Sequence, residues 1–249
     1  MTHLGQRGLC ILALFPALWL LGAFPASAQE VIVDLGGEGS FTLRTVQLFA
    51  LVTVLSLAPG IAIMVTCFPF MITVLSILRQ AIGVQQAPPN MMIVSLALFL
   101  TWFVMEPVFM QAWETALKPA LDGDLPPEDA FRVGIEPFRE FMTTRTDPNT
   151  IILLAESSGR TLPAPGEDMS LGVLVPGFLL SEIQRGFEVG FLIFLPFLVI
   201  DLVIAAILMS MGMMMVPPVV VSLPFKLAFF VLADGWSLLA GALIRGYGV

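Results

Sequence analysis

The stretch from Phe187 to Trp236 (FEVGFLIFLPFLVIDLVIAAILMSMGMMMVPPVVVSLPFKLAFFVLADGW) constrains the chain most, because two apolar runs flank a methionine-packed turn and each run carries charge. Roughly 20 apolar residues cross a hydrocarbon layer as a helix, so both runs read as membrane-spanning. Asp201, Lys226 and Asp234 then need partners. A turn centred near Met214, bounded by Gly212 and Pro217-Pro218, predicts a helical hairpin. In it Asp201 and Lys226 stand level to within about one residue, or roughly 1.5 Å of rise. A lone charge at mid-membrane costs about 2.5–3.5 kcal/mol on insertion scales, which favours pairing of opposite charges at matched depth. Asp234 follows Lys226 by eight residues, roughly 12 Å along a straight helix, so its partner is expected elsewhere, as on a neighbouring subunit. Simple hydration at interfacial depth is the alternative.

Met209, Met211, Met213, Met214 and Met215 crowd the turn. Methionine is unbranched and polarisable and adapts to many partner shapes. A ring of such side chains could seal a pore, and a hydrophobic constriction stops ions by dewetting. Ordinary lipid-facing or core methionine is the plain alternative, but a Gly/Pro-bounded turn has little packing use for three in a row.

The 249 residues are 57% hydrophobic and 12% charged, which makes the chain a polytopic all-α membrane protein. A formal charge of −8 argues against nucleic acid, whose phosphates are bound by releasing counterions to Lys and Arg. The first 28 residues read as a cleavable leader: His3 and Arg7, an apolar Leu9 to Leu21, and the small-residue Ala26-Ser27-Ala28. Cleavage there removes Cys10 and His3, leaving Cys67 and no histidine. Zinc sites and Ser-His or Cys-His machinery then lack members, so no catalytic, metal or cofactor residues are expected. Cys67, between Thr66 and Phe68, reads as a small buried side chain.

Along the rest of the chain, 29–44 is an exposed lead-in and 45–113 a first apolar helical region. Pro59-Gly60 predicts a kink or two shorter helices within Thr45 to Thr66. Phe70 to Ile82 reads as a short helix carrying Arg79, the stretch Gln85 to Asn90 as a break, and Asn90 as the cap of the next helix. Glu106-Pro107 is expected to stop or bend that helix. Residues 114–171 turn acidic and proline-rich, an extracytoplasmic helical domain with an amphipathic helix over Ala130 to Met142 and another over Thr150 to Ser158. Residues 172–249 form the C-terminal hairpin. Four apolar units (Thr45 to Thr66, Met91 to Trp113, Phe187 to Met209, Val219 to Ile244) put Arg79 on the cytoplasmic side and the acidic domain outside.

Pro196 to Val203 (PFLVIDLV), Leu208 to Pro218 (LMSMGMMMVPP) and Ser222 to Trp236 (SLPFKLAFFVLADGW) resemble the signature segments of the FliP family, export-gate membrane subunits of flagellar type III secretion. Ile77 to Asn90, Ser95 to Val108, Glu136 to Met142 and Val175 to Phe191 extend the likeness over Thr45 to Tyr247. One departure is Phe70, where many members carry a basic residue. The resemblance implies kinked helices and hairpins assembling into an oligomeric helical cone, a pentamer with FliQ and FliR and with FlhB at the cytoplasmic side, in the bacterial inner membrane at the flagellar basal body. Unfolded flagellar proteins are the implied substrates. It also implies a pore gasket at Met213, Met214 and Met215, with Met209 and Met211 less surely positioned. Asp201 with Lys226 would be a structural charge pair, and Asp234, Glu106 and Arg79 candidate inter-subunit polar contacts. The equivalent subunit of a non-flagellar type III system is the alternative. Two other classes remain open: an intramembrane aspartyl protease on Asp201 and Asp234, and a secondary transporter with midplane charges.

Overall fold

The structure is a computed structural model that describes residues 38–84, 88–160, 169–213 and 215–248. The leader expected over 1–28 and the central methionine of the turn, Met214, lie outside the described residues. Every element within them is helical: α1 (Glu38–Met64), α2 (Phe68–Ile82), α3 (Asn90–Ala112), α4 (Lys118–Asp122), α5 (Pro127–Arg145), α6 (Pro148–Ser158), α7 (Leu171–Ser210), α8 (Pro218–Leu232) and α9 (Gly235–Arg245). A π-helical turn, Trp113–Leu117, joins α3 to α4. The chain divides into two compact units, 1–53 and 54–249.

Of the kink or two shorter helices expected at Pro59-Gly60, the second is excluded, because α1 is continuous through Pro59. Proline removes a single hydrogen bond, and a helix this apolar keeps the rest because no water competes for them. Its Thr45–Met64 window is long and apolar enough to span a bilayer and none of it is buried within the chain.

In the larger unit α2 packs chiefly against α7, with α3 on another side. Met71, Val74 and Leu78 from α2 and Ala97, Val104 and Met105 from α3 are buried in one apolar core that also takes in Phe197 and Phe230. Small residues allow the α2–α7 approach. Gly186 and Gly190 lie four apart on α7 and meet Thr73 and Ile77, four apart on α2. A Cβ on Gly190 would come within 3.1 Å of both Ile77 Cβ and Cγ2. Helices in lipid gain nothing from hydrophobic exclusion and associate through such close packing.

One expectation about α3 is corrected. Pro89 is the N-cap and no side chain caps the helix; the Asn90 carboxamide oxygen instead accepts from Arg79 Nη1. At the other end, Glu106-Pro107 is expected to stop or bend the helix before Trp113; the helix passes Pro107, ends at Ala112 and then slips into the π-helical turn. Leaving out the Pro107 bond and widening one later turn costs less than exposing a run of unsatisfied carbonyls. The amphipathic helices expected from 130–142 and 150–158 are α5 and α6. α6 is capped by Asp147, whose carboxylate accepts from the Asn149 N–H at 3.4 Å.

The expected fourth apolar unit, Val219 to Ile244, is two helices bent by 62°. Asp234 sits at the break in the left-handed conformation, φ 48°. Asp and Asn tolerate that region better than other non-glycine residues, which is why the chain can turn there. The described residues therefore hold three helices fit to span a membrane, or four with the bent pair counted as one. Gly190→Val should force the α2–α7 seam apart and cost about 1–3 kcal/mol, read as a lower melting temperature of the detergent-purified protein. Gly241→Ala, on α9, should be nearly silent by comparison.

Candidate functional site

The hairpin of α7 and α8 brings Asp201 and Lys226 together: Lys226 Nζ lies 2.5 Å from Asp201 Oδ2. The lysine side chain is 4% exposed and the aspartate 27%. A charge held that far from water needs acceptors as well as a counter-ion. Ser222, one helical turn before Lys226, donates to Asp201 Oδ1 at 2.5 Å and fixes the carboxylate. The ammonium also donates to the Ala81 carbonyl at 3.0 Å. That carbonyl belongs to the last turn of α2, where backbone acceptors have no intrahelical partner and the helix dipole is negative. Gly83 follows with φ +85°, turning the chain away beneath the amine. One lysine thus joins three elements.

Asp234 is exposed and accepts from Ser237 Oγ at 3.0 Å, within its own bend. The 12 Å offset from Lys226 assumed a straight helix, and the 62° break removes that premise. Arg79 is engaged by Asn90. Glu106 is exposed on α3 and forms no ion pair among the described residues. Among the described methionines, Met209 ends α7 and Met211, Met213 and Met215 lie in the turn, all exposed, Met215 at 97%. Each carboxylate of the proposed protease dyad has its own partners, and no hydrogen bond joins the two.

Sequence reasoning missed a second buried polar cluster. Glu182, fully buried on α7, accepts a hydrogen bond from the Tyr247 hydroxyl. Arg145 Nε stands 3.3 Å from the same carboxyl group and Arg185 Nη1 3.6 Å from it. The Arg145 guanidinium also stacks over the Tyr247 ring, 4.0 Å from its centre, and donates to the Gly246 carbonyl at 3.1 Å. Tyr247 packs edge-on to Phe70, so the C-terminal tail is held against the start of α2. Burial, with the nearby Glu182 charge second, pushes the tyrosine hydroxyl up and keeps it a donor. Cys67 adjoins this cluster; burial pushes its thiol up to about 12, and the Thr101 hydrogen bond offsets only part of that. The members are 37 and 65 residues apart in sequence, a separation that no local pattern bridges. The single tyrosine of the chain and Glu182-Ile183-Gln184-Arg185 at the foot of an apolar run were the available signals.

An all-α fold with spanning helices whose outward faces are apolar and whose buried charges, Glu182 and Lys226, are paired inside defines a polytopic membrane protein. Comparison with known proteins supplies the family. The FliP family model matches residues 51–243. A flagellar biosynthetic protein FliP of Caulobacter vibrioides is 49% identical over 223 residues, 89% of this chain and 84% of the relative. That of Rhizobium meliloti is 48% identical over 95% of this chain and 97% of its own, and that of Bacillus subtilis 44% identical over 82% and 92%. The chain belongs to the FliP family.

Lys226→Ala should cost about 3–5 kcal/mol by stranding Asp201, seen as loss of folded protein from membranes, and adding Asp201→Asn should recover part of it. Full recovery would mean that the Ala81 carbonyl contributes nothing; independent, additive losses would mean no pair. Cys67, in contrast, should resist alkylation by maleimide at pH 8 in the folded protein, because a thiol pushed up to about 12 carries almost no thiolate there. Labelling should appear on unfolding.

Proposed function

We propose that this chain is a pore-forming subunit of the flagellar type III protein export gate in the bacterial inner membrane, passing unfolded flagellar proteins. Several copies, five by family resemblance, assemble with FliQ, FliR and FlhB. The observation that carries the reading is the exposure of the thioethers at the hairpin tip. Met211 and Met215 are largely uncovered by the chain although they are apolar, at 66% and 97% exposed, and Met213 is covered in part, at 38%. Side chains of that kind gain by meeting their counterparts from other subunits around an axis, where their flexibility closes the gap without one fixed fit. Family membership and relatives carrying a flagellar name favour the flagellar gate over its non-flagellar equivalent. A transport role fits the same relatives better than a protease or a monomeric transporter does.

The mechanism is steric and dielectric. A ring of thioethers narrows the path below the size of hydrated ions, and a polypeptide segment displaces it because unbranched side chains change rotamer cheaply. Asp234, Glu106 and Arg79, which lie near the protein surface, are the polar groups offered to neighbouring subunits. Replacing Met213, Met214 and Met215 together by alanine should leave an assembled gate that leaks ions, measured as conductance in planar bilayers. Unchanged conductance in an assembled gate would remove the gasket.

A further inference from the structure

A groove of about 430 Å³ opens between α7, α2 and the bent α8–α9 pair. Val189, Ile193 and Pro196 of α7 form one wall, Leu239 and Ala242 of α9 the other, and Leu78 of α2 lies at the floor. The volume falls within the roughly 300–1,000 Å³ usual for small-molecule sites. One end of the groove reaches Gly246, whose carbonyl is bonded by Arg145. Charge gathers at that end. Arg185 stands one turn before Val189 on the same face of α7, about a third exposed, and its buried Nη1, 3.6 Å from Glu182 Oε1, has no hydrogen-bond partner. Arg245, exposed, precedes Gly246 in the chain and forms no ion pair among the described residues. Arg145 and Arg185 therefore share one buried carboxylate, Glu182, which also accepts from Tyr247. Glu188, beside Val189 in sequence, accepts from the neutral Gln184 Nε2 at 3.1 Å and keeps its charge, so three arginines stand against two carboxylates here.

An apolar trough that runs into a cationic end matches a molecule with an acyl chain and an anionic head. We propose that this groove is a binding site for an anionic phospholipid, its acyl chain between α7 and α9 and its phosphate at Arg185 and Arg245. The excess of positive charge selects against a neutral lipid, and basic pockets between membrane helices hold anionic head groups in this way. An apolar partner helix laid in the groove would bring Arg245 no counter-charge, and Arg145 and Arg185 share a single one in Glu182, so lipid is the occupant the chemistry favours.

The test is native mass spectrometry of the full-length protein purified in detergent, titrated with phosphatidylglycerol or with phosphatidylcholine of the same acyl chains. Phosphatidylglycerol should bind more tightly, and Arg185→Gln and Arg245→Gln should each reduce the preference about fivefold. Leu238→Trp, which narrows the groove, should weaken binding of both lipids, and Arg132→Gln on the exposed face of α5 should change nothing. If Arg185→Gln fails to fold, Arg185→Lys should keep the preference while Arg245→Gln still reduces it. Equal binding of the two lipids, or variants that bind as the parent does, would overturn the proposal. Displacement by soluble glycerol phosphate would also overturn it, since the groove would then contribute nothing. So would parity between the lipids combined with a cysteine at Leu238 that cross-links to another polypeptide in membranes, which would assign the groove to a protein helix.

Discussion

An ammonium group removed from water must be supplied with both counter-charge and acceptors, and the arrangement of α2, α7 and α8 follows from how Lys226 obtains them. Asp201 supplies the charge, Ser222 fixes the carboxylate, and the end of α2 supplies an otherwise unpaired carbonyl. The carbonyl matters as much as the carboxylate. It belongs to the negative pole of a helix dipole, so the lysine satisfies an orphan acceptor of α2 while losing its own water. A buried pair is weak evidence of stability, because replacing both partners by apolar groups is often neutral. Its value is in register: only one depth of α7 against α8 and one end of α2 bring all these atoms within reach.

The other end of α2 meets the opposite charge. Glu182 is close enough to the Cys67 thiol, at the N-cap of α2, to help raise its pKa. It is held there by Arg145 from α5 and by Tyr247 from the tail. A carboxylate near the positive pole and an ammonium on the negative pole both match the dipole of the helix between them. α2 is thus clamped at both termini, while between the clamps Gly186 and Gly190 let α7 approach Thr73 and Ile77. This explains why a 15-residue helix, too short to span a bilayer, is the most enclosed of the described helices.

What could be read in advance depended on how far apart the participating atoms lie in sequence. Asp201 and Lys226 were legible as a level pair because they share a hairpin, and counting outward from its turn gives their heights. Ala81 was not, since a backbone carbonyl has no residue type to announce it. The Glu182 cluster joins three separate segments, and the local signals, a lone tyrosine and an acid and a base at the foot of an apolar run, do not say that they meet. Gly186 and Gly190 at a spacing of four were visible and unused. Proline marks where a helix can bend without saying where it ends: α1 runs through Pro59 and α3 through Pro107, because apolar helices give the remaining backbone groups no alternative partner. At Asp234 the reverse held. Nothing about an acid in an apolar run says that the backbone turns there, and the break follows from a left-handed conformation that few side chains tolerate.

The distribution of polarity sets the last constraint. The buried charges, Glu182 and Lys226, are paired inside this chain, whereas its outer surface carries Leu192, Val199, Leu202 and much of α1 in the open. Lipid accounts for part of that exposure. α7, however, has 40 residues and a length of about 60 Å, twice the roughly 30 Å of a hydrocarbon core. A single bilayer crossing covers half of it, and in the first half α2, α5 and α6 of the same chain bury one face while Pro176, Leu180, Gln184, Phe187 and Glu188 stay exposed. Water is a poor neighbour for Leu180 and Phe187 but a good one for Gln184 and Glu188, so that mixed face suits the polar edge of a bilayer or a polypeptide surface of the same mixed kind. The length of one helix thus sets how much apolar surface this chain leaves to its surroundings, independently of the methionines at its end.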